Sequence, residues 1–266
     1  MTERKMMELD PTKHISALAS HYDKEAQHYD DFNEARSAQT NHVIEQILQR
    51  HEVKTVLDLS CGTGSQVLWL LKRGYKVVGF DINNQMLAIA KNKARKQNLP
   101  IQLEQGDMRT TKAGKFDAVI TIFNSIGHLT RQDFEKAIQN IHRNLNTQGL
   151  YIFDIFNLDY LLHEDNITQL TIDWQKKLKD VITREIQYST ITQEGVLASY
   201  DIYHEQINLS KPKITTAFQT LQVYTAHQLQ EILQKNGFTI IQQTGIDGSG
   251  LTTHKTERIL TVAAKL

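Results

Sequence analysis

Three carboxylates, Asp58, Asp81 and Asp107, share one local setting: each closes, or follows directly, a short run of β-branched and aliphatic residues. Val56-Leu57-Asp58-Leu59-Ser60-Cys61-Gly62-Thr63-Gly64 predicts a strand that passes through a tight turn into a helix. Gly62 and Gly64 allow close approach of backbone to a ligand and conformations closed to other residues. Seventeen residues after Gly64 a second run ends in Asp81, followed by Ile82, where a carboxylate can accept both hydroxyls of a ribose. A third run leads to Gly106-Asp107-Met108: an acceptor for the exocyclic amine of adenine, with a thioether side chain to pack on the ring. The bland alternative for Asp107 is a turn aspartate after glycine.

Such a set describes a nucleotide site, and two chemistries compete for it. Dinucleotide-binding folds place a third Gly or Ala three residues after the second glycine, so that a pyrophosphate lies close to the helix. Here that position is Val67. Asp58 would repel a pyrophosphate and attract the ammonium of a methionine moiety. Together Asp58, Ser60, Gly62, Gly64, Asp81, Ile82, Asp107 and Met108 are candidate contacts to such a nucleotide. The fourth run ends Phe123-Asn124-Ser125-Ile126-Gly127-His128, beside the place where the sulfonium would lie, which adds Phe123 and Asn124.

The elements that must position these residues alternate. Strand patterns at Val53–Leu59, Lys76–Phe80, Ile101–Gln105, Phe116–Phe123 and Leu150–Phe156 are separated by helical patterns at Gln66–Arg73, Asn83–Gln97 and Arg131–Leu145. Alternation of this kind predicts a parallel sheet with helices on both faces. From Lys13 to Arg50 the pattern predicts helices with a break near Asp30–Asn33, forming an N-terminal cap over 1–50. His21-Tyr22-Asp23 recurs as His28-Tyr29-Asp30, so both tyrosines share roughly one face, available for packing or for lining a pocket. After Asn157 four alternating segments between Ile167 and Val223 read as half-exposed antiparallel strands. A helix over Thr225–Asn236 and two closing strands, Phe238–Thr244 and Glu257–Ala264, complete the pattern. The expected fold is therefore α/β: a doubly wound, Rossmann-like, seven-stranded, mostly parallel sheet built from 51–159 and 224–266. The antiparallel β insertion after strand five spans 160–223 and covers the acceptor pocket, with Tyr188, Tyr200 and Tyr203 as candidate lining.

Bulk properties narrow the class. Lys+Arg 30 against Asp+Glu 30 gives no general attraction to nucleic acid or anionic membrane. A single cysteine, Cys61, forbids an intrachain disulfide and fits a reducing cytoplasm. The charged N-terminus lacks a signal-peptide core, and no apolar run reaches the roughly 18 residues of a membrane span. His14, His21 and His28 are seven apart and show no metal-ligand pattern, so no metal is expected.

The Asp58–Gly64 motif, Asp81, Gly106-Asp107 and the fourth-strand ending resemble those of class I S-adenosylmethionine-dependent methyltransferases, over about residues 20–160 and the final strand pair. Asn124-Ser125-Ile126-Gly127-His128-Leu129 is similar to the segment in glycine/sarcosine N-methyltransferases and in amino-sugar N,N-dimethyltransferases. The resemblance implies S-adenosyl-L-methionine as cofactor and a small-molecule methyl acceptor, with Tyr29 and His128 near the acceptor amine. It also implies an N-terminal element over the cofactor, where Tyr29 and Arg36 are candidate contacts. His128, with an ordinary pKa near neutrality, is the candidate to hold the amine or take its proton. The fifth-strand ending Phe153-Asp154-Ile155-Phe156 departs from glycine N-methyltransferase: Phe156 stands where that family has an arginine for the substrate carboxylate. Arg36 or Arg184 are candidate replacements. O- or C-methylation in the same pocket and a non-catalytic cofactor-binding protein remain alternatives. An RNA methyltransferase is disfavoured, because no RNA-binding module, Asn-Pro-Pro-aromatic run or base-attacking cysteine is present.

Overall fold

The computed structural model describes residues 10–23, 26, 29–163, 172–178 and 180–266. Seven strands form one sheet in the order β10-β11-β5-β4-β1-β2-β3. β1 (Thr55–Asp58), β2 (Lys76–Asp81), β3 (Gln102–Gln105), β4 (Phe116–Thr121) and β5 (Leu145–Phe156) run parallel, while β11 (Arg258–Lys265) is antiparallel between β5 and β10 (Phe238–Gly245). The central strands are aliphatic throughout because both of their faces are buried. Leu57, Val119, Tyr151 and Phe153 join the core on one face; Val56, Ile120, Ile152 and Leu260 join that on the other. This alternation follows from the two-residue period of a strand.

α1 (Tyr29–Arg50) runs unbroken through Asp30–Asn33, where the sequence predicted a break. Its stripe Val43, Ile44, Ile47 and Leu48 is buried, and that packing decides helix over local propensity. The described residues ahead of it are not helical. Instead 13–22 form a strap of turns and extended backbone whose polar groups bond to the body of the protein. Ala17 N–H donates to His128 O (2.8 Å), and Asn83 Nδ2 donates to Ala19 O (2.7 Å). α2 (Ser65–Leu71), α3 (Asn84–Lys96) and α4 (Arg131–Asn144) lie near their expected places. α3 is capped by Asn83, whose side chain accepts from Met86 N–H. β5 begins at Leu145, directly after α4 and earlier than the aliphatic pattern indicated. α5 (Leu158–Leu162), a single short turn, was not anticipated. α6 (Ala226–Lys235) starts on a Thr225/Gln228 capping box, which satisfies orphan N–H groups at its first turn.

The insertion is a separate four-stranded antiparallel sheet: β6 (Ile172–Leu178), β7 (Val181–Ile191), β8 (Val196–Ile207) and β9 (Lys213–Gln222), in that spatial order. It joins the rest through β9, β8 and the turn between β7 and β8: Leu197 and Leu221 enter the main core, and Arg131 Nη2 donates to Glu194 O (2.5 Å). Thr220 Oγ1 lies 2.9 Å from His14 Nδ1, and Gln219 Oε1 lies 3.4 Å from His21 Nε2.

Candidate active site

A crevice of about 1000 Å³, counting its open mouth, lies at the carboxyl ends of β1 to β4 and under the strap. Parallel strands carry their chemistry at these ends because the loops that leave them open a gap where the sheet's winding reverses. The crevice is built from backbone outward. Gly62 (φ +50°) and Gly64 (φ +87°) hold left-handed conformations that glycine adopts without penalty. A Cβ on Gly62 would meet no atom within 4 Å, because it would enter the crevice itself. A Cβ on Gly64 would lie 3.0 Å from Ala90 Cβ, so α2 and α3 approach too closely for a side chain there.

Asp81 accepts Gly62 N–H with Oδ2 and Asn83 N–H with Oδ1, both at 2.8 Å, which fixes the glycine turn over the end of β2. Burial raises its pKa despite these two donors. Asp58 is 1% exposed, and its Oδ1 accepts Ser60 N–H at 3.1 Å. Its Oδ2 and the Ser60 hydroxyl are buried without a partner. Burial pushes Asp58 up to about 8; the Ser60 N–H opposes this and the Asp81 charge adds to it. Unpaired buried oxygens of this kind are the signature of a group awaiting a donor.

Asp107 is held by Arg109. Nε lies 2.9 and 3.0 Å from its two oxygens, and Nη2 2.5 Å from Oδ2. Burial works to raise its pKa, but the Arg109 side chain and N–H outweigh it and hold the carboxyl below the usual range. Arg109 also reaches Asp133 (2.6 Å), which accepts Ser16 Oγ–H of the strap (2.6 Å). Arg109 lies two residues after its partner, yet only the fold brings Asp133 and Ser16 to it. Periodicity carried no signal for this latch.

On the far side of β1 from β2 and β3, the end of β4 supplies the opposite wall. Phe123 (φ +63°) and Asn124 (φ +58°) are consecutive non-glycine residues in the left-handed region, a strain of order 1 kcal/mol or more each. His128 follows on a 3₁₀ turn, Ser125–His128. Its Nε2 is 2.6 Å from the Tyr22 hydroxyl, while its Nδ1 is buried without a partner. Desolvation, with the His21 and His14 charges adding to it, pushes His128 down to about 3 instead of the near-neutral value of an ordinary histidine. Rings of Tyr22 and Tyr29 meet edge to face with centroids 5.7 Å apart. Burial raises Tyr29 to about 12, partly offset by the Arg258 charge. The wall is therefore aromatic and neutral at pH 7.

Of the residues expected from sequence, Tyr29, Ser60, Gly62, Asp81, Ile82, Asp107, Met108, Phe123 and His128 line the crevice. Asp58, Gly64 and Asn124 stand behind the lining and shape its loops. The Arg36 side chain lies outside the described residues. Tyr22, read from sequence as a ring for packing or lining, both lines the crevice and holds the imidazole. No described residue of the insertion is among those that line the crevice. Tyr188 is 53% exposed, the Tyr200 ring packs on Phe218 (5.0 Å), and Tyr203 stands opposite Thr215 in the sheet. Arg184 pairs with Asp173 (2.6 Å) on the exposed insertion, which rules it out as a clamp at Phe156. Among the described residues there is no group of three or more His, Cys, Asp or Glu suited to a metal, and no helix is long and apolar enough to cross a membrane.

Residues 56–149 match the family described as a methyltransferase domain. The chain is 35% identical over 136 residues to a glycine/sarcosine N-methyltransferase of Parasynechococcus marenigrum (strain WH8102), covering 50% of this chain and 48% of that protein. It is 33% identical over 112 residues to the dTDP-3-amino-3,6-dideoxy-alpha-D-glucopyranose N,N-dimethyltransferase of Streptomyces fradiae, covering 41% of this chain and 42% of that one. The chain thus spans less than half the length of these two relatives. The fold is similar to the crystal structure of an S-adenosylmethionine-dependent methyltransferase from Clostridium acetobutylicum ATCC 824. That likeness has a TM-score of 0.75 at 20% identity and covers 92% of this chain and 98% of that one.

Proposed function

We propose that this chain, an S-adenosylmethionine-dependent methyltransferase, passes the methyl group to the nitrogen of a small-molecule amine. The observation that carries this reading is the division of one crevice into a carboxylate half and a neutral aromatic half. In the first half the residues fit the cofactor. Asp81 has acceptor capacity left for ribose hydroxyls, Asp107 lines the part of the crevice that would take the adenine, and the unpartnered Asp58 Oδ2 and Ser60 Oγ suit an ammonium reached directly or through water. When bound, the cofactor supplies an activated methyl on a sulfonium centre. Everything else falls to this chain: orienting a lone pair and excluding water.

The second half suits a neutral amine. The Tyr29 phenol stays protonated and the His128 imidazole stays neutral, so neither group carries a charge that favours an ammonium ion over the free base. Its hydrogen bond to Tyr22 orients His128 as a neutral group that holds the acceptor rather than as a base that titrates near pH 7. The strap covers one side of the site through Ala17, Leu18, Ala19, His21 and Tyr22. A net charge of zero supports a small acceptor over a nucleic acid.

Asp81→Ala is expected to weaken S-adenosylmethionine binding by about 1–3 kcal/mol in calorimetry, the scale of lost charged hydrogen bonds. An unchanged affinity overturns the assignment of this half. A panel of amines, phenols and alcohols assayed by release of S-adenosylhomocysteine tests the other half. Turnover of a phenol with none of any amine overturns the choice of nitrogen.

A further inference from the structure

The chain departs from an arginine at position 156, yet a guanidinium occupies the neighbourhood of that ring. Arg258, opposite Phe156 in the β5–β11 register, brings its guanidinium carbon to 5.6 Å from the Phe156 ring centre and 5.5 Å from that of Phe123. It does not point outward as a clamp. Nε lies 3.1 Å from Asp154 Oδ2, and Nη2 forms an ion pair with the same oxygen. Asp154 is 0% exposed and projects from β5 at the place where β4 leaves the sheet. There its Oδ1 accepts Phe123 N–H (2.6 Å) and its Oδ2 accepts Asn124 N–H (3.3 Å). These are the two consecutive left-handed residues that no glycine relieves. Arg258 balances the charge of this fully buried carboxylate while it holds the two backbone donors.

We infer that Asp154 and Arg258 are a positioning pair: they lock the left-handed Phe123-Asn124 turn and so set the wall that receives the amino-acid arm of the cofactor. The inference rests on reading the crevice as an S-adenosylmethionine site. The sheet order gives the direction. β2 and β3, with Asp81 and Asp107, lie on one side of β1, and β4 lies on the other. A nucleoside held by those two acids therefore reaches the Phe123 turn only with the group attached at its 5′ end. Two residues distant in sequence thereby control one end of the ligand and not the other.

The test compares two ligands on the intact chain: S-adenosylhomocysteine, and 5′-methylthioadenosine, which keeps the nucleoside thioether but lacks the amino-acid arm. In Arg258→Met, S-adenosylhomocysteine affinity is expected to fall about tenfold to a hundredfold while methylthioadenosine stays within about twofold, the difference of one charged contact. Arg258→Lys, which keeps the charge with fewer donors, is expected to recover part of the loss. It also carries the same comparison if the Met variant does not fold. Equal weakening of both ligands, or no weakening of either, overturns the pair's role. A wild-type chain that binds neither ligand overturns the underlying reading of the crevice instead.

Discussion

Asp58→Asn replaces a carboxyl whose ionisation the fold opposes. In the unfolded chain the carboxyl titrates at 3.8; in the folded protein burial and Asp81 raise it to about 8. Between those values the folded state keeps a proton that the unfolded state has lost, so unfolding releases a proton and stability falls as pH rises through the window. From pH 5 to pH 7 the group costs about 3 kcal/mol, which is two pH decades at roughly 1.4 kcal/mol each. The amide keeps an oxygen for Ser60 N–H and has no charge to desolvate. Urea unfolding of wild type and variant at several pH values is the assay. The variant is expected to gain on the wild type by about 3 kcal/mol between pH 5 and 7, roughly 6–12 °C in melting temperature for a chain of this size. Taking the difference between the two proteins also cancels His14, His21 and His128. Their lowered pKa values cost stability as pH falls below that of an ordinary histidine, which is the opposite direction. A difference that stays flat with pH would show that Asp58 is ionised in the folded chain and would refute the reasoning. The same variant is expected to lose S-adenosylmethionine affinity, since a nearby ammonium would favour the ionised carboxylate, which an amide cannot supply.

His128→Gln keeps a neutral polar group, so its kcat/KM profile between about pH 6 and 8 should have the shape of the wild-type profile. A wild-type inflection near 6.5 that vanishes in the variant contradicts a neutral, orienting histidine. Gly64→Ala forces a methyl against Ala90 and a side chain into a left-handed residue; thermal melts should show a loss of about 1–3 kcal/mol. Gly62→Ala meets open space instead, so it should cost less stability than Gly64→Ala and more cofactor affinity. The reverse ranking would refute the assignment of that space to a ligand.

The glycine turn and the acids at the strand ends were legible because strand-turn-helix chemistry is local: Asp81 grips Gly62, and both lie in readable motifs. The seven-stranded sheet was legible for the same reason, since buried parallel strands spell themselves out as aliphatic runs. What periodicity could not carry were pairings across the fold. His128 meets Tyr22 across 106 residues, and Arg258 meets Asp154 across 104. The strap read as helix because His21, Tyr22 and Asp23 fit a helical repeat, but its backbone is satisfied by His128 O and Asn83. The insertion was legible as half-exposed antiparallel strands because its apolar and polar residues alternate. Alternation places a residue on a face of the sheet but does not say what that face covers.

The insertion reaches the His128 side of the crevice in two ways: β9 packs on the Ser125–His128 turn, with Leu221 beside Gly127, and it grips the strap through Thr220 on His14 and Gln219 on His21. A change in β9 is therefore felt first at the strap and the His128 turn, across β1 from the strand ends that carry Asp81 and Asp107.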